Sequence, residues 1–100
     1  MGKKLVWSPT SLGQLEEIHE GIFEVSKSLN IADRVIDDIM SSADILSFQP
    51  EIYTLDENKL NNDNSYHSYE VRTYNVAYRI LTDTIRILRV RYSGKEPKQY

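Results

Sequence analysis

From Leu12 onward, apolar residues return at steps of three and four: Leu12, Leu15, Ile18, Ile22, Val25 and Leu29. Glu16, Glu17, Glu20, Glu24 and Lys27 fill the intervening positions, which is the period of an amphipathic helix with an acidic face. Ser8-Pro9 marks its start. The serine offers a side-chain oxygen to the first free amides, and proline loses nothing where an N–H has no helical acceptor. Ahead of it, KLVW (residues 4–7) is short and rich in strand formers, which predicts a first strand stopped by the same Ser-Pro pair. Asn30 and Asp33 restart the pattern with capping residues, and Ala32, Val35, Ile36, Ile39, Met40, Ala43 and Leu46 carry a second stripe up to Pro50. Two helices joined by about one residue fold back as an antiparallel hairpin.

Residues 50–66 are rich in turn formers, with Asn61-Asn62-Asp63-Asn64 the segment of least apparent structure. Beyond them the apolar period drops to about two. Tyr69, Val71 and Thr73 alternate with Glu70 and Arg72, and Val76, Tyr78 and Ile80 alternate with Asn75, Ala77 and Arg79. This predicts two strands with a tight link at Thr73 to Asn75, then a turn at Thr82-Asp83 into a strand from Thr84 to Tyr92. In that last strand Ile85 and Ile87 fall on one parity and Leu88 and Val90 on the other, as expected of a central strand. The same alternation puts Arg89 and Arg91 on one face and Arg86 on the opposite one. The order is β-α-α-β-β-β: an α+β domain, residues 1–100, with the helical hairpin on one face of a small, mostly antiparallel sheet. A hairpin covers one face only, so Arg72, Arg79, Arg89 and Arg91 are expected to converge on the open one.

Charge sharpens this picture. The chain of 100 residues is 40% hydrophobic and 27% charged, which suits one globular domain and excludes a disordered segment. Residues 1–70 hold five Lys/Arg against thirteen Asp/Glu, whereas residues 71–100 hold seven against two, so a net charge of −3 hides an acidic and a basic end. Such bipolarity suits an anionic partner at the basic end. No apolar stretch resembles a signal peptide or a membrane span, and a cytoplasmic protein is expected. Without cysteine there is no disulfide framework, and His19 and His67 alone do not make a zinc site. No metal or organic cofactor is indicated.

The chain resembles the RelE/ParE superfamily of toxins from type II toxin–antitoxin modules, the plasmid-stabilisation proteins. The carriers are the early strand leading into Ser8-Pro9, Leu15-Glu16-Glu17-Ile18 in the first helix, Ala32-Asp33-Arg34-Val35-Ile36 in the second, and VAYRI (76–80) followed by TIRILRVRY (84–92). Gly94-Lys95-Glu96-Pro97 is similar to the family's basic-acidic-proline ending. The resemblance implies a cognate antitoxin as partner and two alternative activities. RelE-like members are metal-independent mRNA endoribonucleases acting at the ribosome; ParE-like members bind DNA gyrase and cleave nothing. A degenerate, non-toxic member is the remaining alternative.

For the nuclease branch, attack by a 2′-hydroxyl needs a base, an acid and cations for the charge growing on the phosphate oxygens. Arginine suits the last role because its planar fork holds two oxygens and stays charged. The candidate catalytic residues are therefore Arg72, Arg79, Arg89, Arg91 and Tyr92, the last at a place where many members carry histidine. Lys95, Lys98 and His67 are candidate nucleic-acid or partner contacts, with His67 also a candidate base because it titrates near neutrality. Any one strand arginine is commonly just solvated or ion-paired, so the weight rests on the cluster. Active ribonucleases of the family tend to carry lysines where this chain reads His67-Ser68-Tyr69-Glu70, a departure from the nuclease pattern. Trp7 and Phe23 are assigned to the core, His19 to packing or solvent, Tyr66, Tyr69, Tyr74 and Tyr78 to packing with stacking on unpaired bases as the alternative, and the glutamate face to solvent or an antitoxin's basic residues.

Overall fold

A computed structural model describes residues 2–94 and 98–100. Its elements are β1 (Lys4–Trp7), α1 (Pro9–Ser26), α2 (Leu29–Ser42), one 3-10 turn (Asp44–Ser47), β2 (Tyr66–Val71), β3 (Tyr74–Ile80) and β4 (Thr84–Tyr92). The four strands form one sheet in the order β1-β4-β3-β2, with β1 parallel to β4 and the other pairs antiparallel. The β-α-α-β-β-β order, the mixed sheet and the central place of β4 agree with the sequence pattern. Among the described residues, no helix is long and apolar enough to cross a membrane.

The first helix starts as expected: Ser8 Oγ accepts the Ser11 amide at 3.0 Å, with Pro9 at the first helical position. It ends earlier than expected. Lys27 adopts the left-handed conformation (φ 57°), and Ser28, not Asn30, caps α2 by accepting the Ile31 amide at 3.2 Å. Serine at this place competes for the backbone through its hydroxyl, which ends the first helix at Ser26, three residues before the apolar stripe ends at Leu29. Val25, 88% exposed, and Leu29, 57% exposed, consequently lie outside the core. Phe23 is also exposed, whereas Trp7 packs against the core as expected.

The core lies between the hairpin and one face of the sheet, where Leu15, Val35, Ile39 and Leu46 meet Tyr69, Val76, Tyr78, Ile85, Ile87 and Val90. Ile39, Leu46, Ile85 and Ile87 are fully buried, each contributing about 1.5–3 kcal/mol by leaving water. The β2–β3 turn consists of Arg72 and Thr73, one residue before the expected link, with Val71 paired to Tyr74. The run 61–64 is less loose than its composition suggests. Asn62 Nδ2 donates to Tyr66 O at 2.9 Å, its Oδ1 accepts the Asn64 amide at 2.9 Å, and Asp63 Oδ1 accepts the Ser65 amide at 3.0 Å.

One irregularity reorganises the sheet. Tyr78 pairs with Ile87 and Ala77 with Arg89, leaving Leu88 opposite nothing: a β-bulge. The extra residue reverses the parity of everything after it. Ile85, Ile87 and Val90 therefore all point into the core, and Arg86, Arg89 and Arg91 share the other face. The sequence-based split of Ile85/Ile87 from Leu88/Val90, and of Arg86 from Arg89/Arg91, is corrected by this single inserted position.

Candidate functional site

Cross-strand register builds rows on the face turned away from the helices. Arg86 lies opposite Arg79, Arg89 opposite Ala77, and Arg91 opposite Asn75. Tyr66, Ser68 and Glu70 of β2 continue the rows, and Val6 of β1 extends the first. Three of the four arginines expected to converge, Arg79, Arg89 and Arg91, thus share a face, and Arg86 joins them. Like charges directly opposite one another are unfavourable in a sheet, so the Arg79–Arg86 row favours an anionic partner. Asp63, 3.6 Å from Arg79, offsets part of the repulsion from the rim. The Ser65 hydroxyl, hydrogen-bonded to Asp63, holds that carboxyl below its usual range, with the Arg79 charge assisting.

Arg72 is not part of the rows. It occupies the first position of the β2–β3 turn with φ 55°, and its Nε and Nη2 donate to Asp38 Oδ2 of α2 at 2.9 and 2.6 Å. Its place on the expected face is corrected: the turn swings it toward the helices, where it ties hairpin to sheet.

Tyr92 and His67 also lie elsewhere. Tyr92 pairs with Tyr74, which packs against the core, and the two rings meet edge to face at 6.0 Å. It therefore stands on the helical side of the sheet, reaching Arg89 and Arg91 only along the edge of β4. His67 is 6% exposed and stacks on Tyr78 at 5.6 Å between ring centres. Its expected role as a base or exposed contact is corrected by this burial: residues 54–56 pair along the outer edge of β2 and cover it. His19 bonds Asp33 across the hairpin at 2.7 Å, consistent with a structural place. Glu16, Glu17, Glu20 and Glu24 are all exposed, as the amphipathic pattern implied. Lys95 lies outside the described residues, as do Glu96 and Pro97; Lys98 is described and exposed.

The face is not bare. Segment 54–60 folds over its β2 side, and residues 98–100 run alongside. The Tyr100 ring sits 3.9 Å from the Arg89 guanidinium carbon, edge-on to Tyr66 at 6.3 Å, and its hydroxyl donates to buried Asp56 at 2.6 Å. Burial pushes the Tyr100 hydroxyl up from its ordinary value, reinforced by its bond to Asp56, and burial pushes Arg89 down. Lys59 and Arg79 flank the Tyr66 ring at 4.7 and 4.8 Å. The sequence leaves Tyr66 to packing or to stacking on unpaired bases; only the register brings it to the guanidinium side.

Past Trp7 the outer edge of β4 has no neighbouring strand. Ser8 Oγ donates to Leu88 O at 3.0 Å and Gln14 Oε1 accepts the Val90 amide at 2.6 Å, side chains standing in for the missing strand. A cleft of about 760 Å³ opens there, with Gln14, Glu17 and Ile18 of α1 on one wall, residues 89–92 on the other and Lys98 at the rim. Among the described residues no group of three His, Cys, Asp or Glu side chains is placed to hold a metal ion.

With the fold and face in view, comparison with known proteins is decisive. A family model described as the ParE toxin of the type II toxin–antitoxin system parDE matches residues 5–97. The chain belongs to the ParE toxin family. The RelE/ParE resemblance read from the sequence is thereby shown, and the fold agrees with it. The chromosomal ParDE system of P. aeruginosa contains a similar chain: TM-score 0.74, 15% identity, covering 90% of this chain and 95% of that one. The RelBE2 toxin–antitoxin complex of Mycobacterium tuberculosis contains another: TM-score 0.57, 20% identity, covering 92% and 99%. No curated protein matches. At these identities the two structures speak for the fold, and the family assignment rests on the match over residues 5–97.

Proposed function

We propose that this ParE-family chain is a toxin that acts by binding its target, DNA gyrase, and not by cleaving RNA. The observation that carries the reading is the separation of parts. The guanidinium rows lie on one face of the sheet, while His67 is buried against Tyr78 and Tyr92 stands on the helical side, meeting Arg89 and Arg91 only along the cleft at the β4 edge. A general base must come within hydrogen-bond reach of the proton it removes. No histidine stands on the arginine side, so the cations there form a contact surface for an anionic patch. An arginine surface of this kind contributes to affinity through paired, partly desolvated charge.

The cognate antitoxin is the second proposed partner. Both structural neighbours come from toxin–antitoxin systems, and the acidic face of α1 offers a basic antitoxin segment a complementary surface.

Two assays on purified chain test the reading. Supercoiling of relaxed plasmid by gyrase is expected to fall as the chain is added, while messages in a translation extract keep intact ends. Arg79→Ala with Arg86→Ala is expected to weaken the supercoiling effect about a hundredfold or more, each of the two charge-assisted contacts being worth about 1.5–3 kcal/mol. Tyr92→Phe is expected to leave it unchanged. New message ends that vanish in Tyr92→Phe, with normal supercoiling, would overturn the proposal in favour of the endoribonuclease.

A further inference from the structure

Residues 98–100 hold the guanidinium face shut at its centre. The Tyr100 amide donates to Asn58 O at 2.9 Å and its carbonyl accepts the Leu60 amide at 2.6 Å, a parallel bridge that sets Tyr100 opposite Lys59 and Gln99 opposite Asn58. Lys59 Nζ adds a bond to the same carbonyl at 3.3 Å. The side chain contributes two further attachments: the ring over Arg89 at 3.9 Å and the hydroxyl on Asp56 at 2.6 Å. Arg89 Nη2 in turn donates to Lys98 O at 3.1 Å.

This closure occupies Arg89, the guanidinium at the centre of the rows, and leaves Arg86 exposed. Ala77, opposite Arg89 on the same face, is fully buried, and the Tyr100 ring lies on the guanidinium beside it. It also leaves one donor unmet. Arg89 Nε is buried and has no hydrogen-bond partner among the described residues. A tyrosine ring offers a guanidinium a π-face but no in-plane acceptor, whereas a carboxylate or phosphate satisfies two N–H groups at once. An anionic partner is therefore the better ligand for Arg89, and Tyr100 the weaker resident one.

We propose that residues 98–100 are a strap over the guanidinium face, latched by Tyr100 on Arg89 and Asp56, which must lift before an anionic partner surface engages the rows. The proposal rests on reading that face as the contact surface. A strap that is closed in most molecules lowers apparent affinity by the fraction open, so removing the latch tightens binding without adding a contact.

The test uses the full chain as wild type, as Tyr100→Ala, and as Asn58→Cys with Gln99→Cys. The chain has no cysteine of its own, so the pair supplies its only thiols. Strap opening is read as hydrogen exchange at the Leu60 amide, and access to the face as affinity for heparin, a generic polyanion. In Tyr100→Ala the Leu60 amide is expected to exchange faster and heparin affinity to rise about tenfold. The cysteine pair, once oxidised, is expected to bind heparin more weakly than wild type and to recover on reduction. Unchanged Leu60 exchange, unchanged or weaker heparin binding by Tyr100→Ala, or failure of the pair to form a disulfide each overturns the strap. Gyrase supercoiling is measured in parallel. The expected heparin response without any supercoiling effect leaves the strap standing and removes gyrase as the target.

Discussion

Gln14→Ala probes how the incomplete edge of β4 is sealed. Val90 is 2% exposed, and its amide is bound by Gln14 Oε1 at 2.6 Å because β1 stops at Trp7 and offers no carbonyl there. Deleting the side-chain amide leaves that N–H without an acceptor at a position water reaches poorly. An unmet buried donor costs about 1–3 kcal/mol, set against a helix-propensity gain for alanine of a few tenths. For a domain of this size the loss corresponds to a fall in Tm of about 4–8 °C per kcal/mol. Urea unfolding followed by circular dichroism gives the same quantity from the shift in midpoint at constant m. Gln14→Glu retains an acceptor and is expected to recover most of the stability at neutral pH. A midpoint for Gln14→Ala within about 0.3 kcal/mol of wild type would refute the reasoning, because it would mean that water from the adjoining cleft replaces the glutamine.

Three further outcomes follow from the packing of the core and of the β2–β3 turn. Burial raises Tyr69 to about 12, its bond to Ser42 only partly opposing this, and burial raises Tyr78 and Tyr100 as well. These folded values exceed the unfolded one, so the stability they contribute is complete below about pH 10 and is lost as pH climbs toward 12. Absorbance of tyrosinate during alkaline titration should show part of the seven tyrosines ionising only with unfolding, and Tyr69→Phe should shift that transition. Arg72→Gly relieves a left-handed residue while losing a half-exposed ion pair, two effects of about 1 kcal/mol and opposite sign; thermal melting should place it near wild type, with Arg72→Val clearly lower. Leu46→Ala empties a fully buried site between the hairpin and β4 and is expected to cost about 2–5 kcal/mol in denaturant titration.

Much of the fold is legible because its signals are local. Ser8-Pro9, the stripes through Leu15 and Val35, and the alternation around Val76 each depend on a few neighbouring residues. Boundaries fared less well where a hydroxyl intervened: Ser28, and not Asn30, caps the second helix. The site was legible only in part. Arginine density in residues 72–91 announced a basic face, yet Arg72 left it through a turn and Arg86 joined it through a bulge. His67, titratable and set beside a turn-rich segment, looked accessible, but residues 54–56 pair over it. Gln14 carried no signal at all, since a glutamine on a helix is ordinary until a β-strand ends beside it.

The amino-acid order by itself determined the elements, their sequence and the surplus of positive charge near the end of the chain. Periodicity and capping act within one or two turns, and charge is additive whatever the fold. Tertiary structure alone decided which side each charge faces. In a strand every side chain reverses when one residue is inserted, so the unpaired Leu88 determined whether three arginines would stand together or apart. Long-range contacts also decided what covers them: Tyr100 meets Asp56 across 44 positions of chain, a pairing no local pattern encodes.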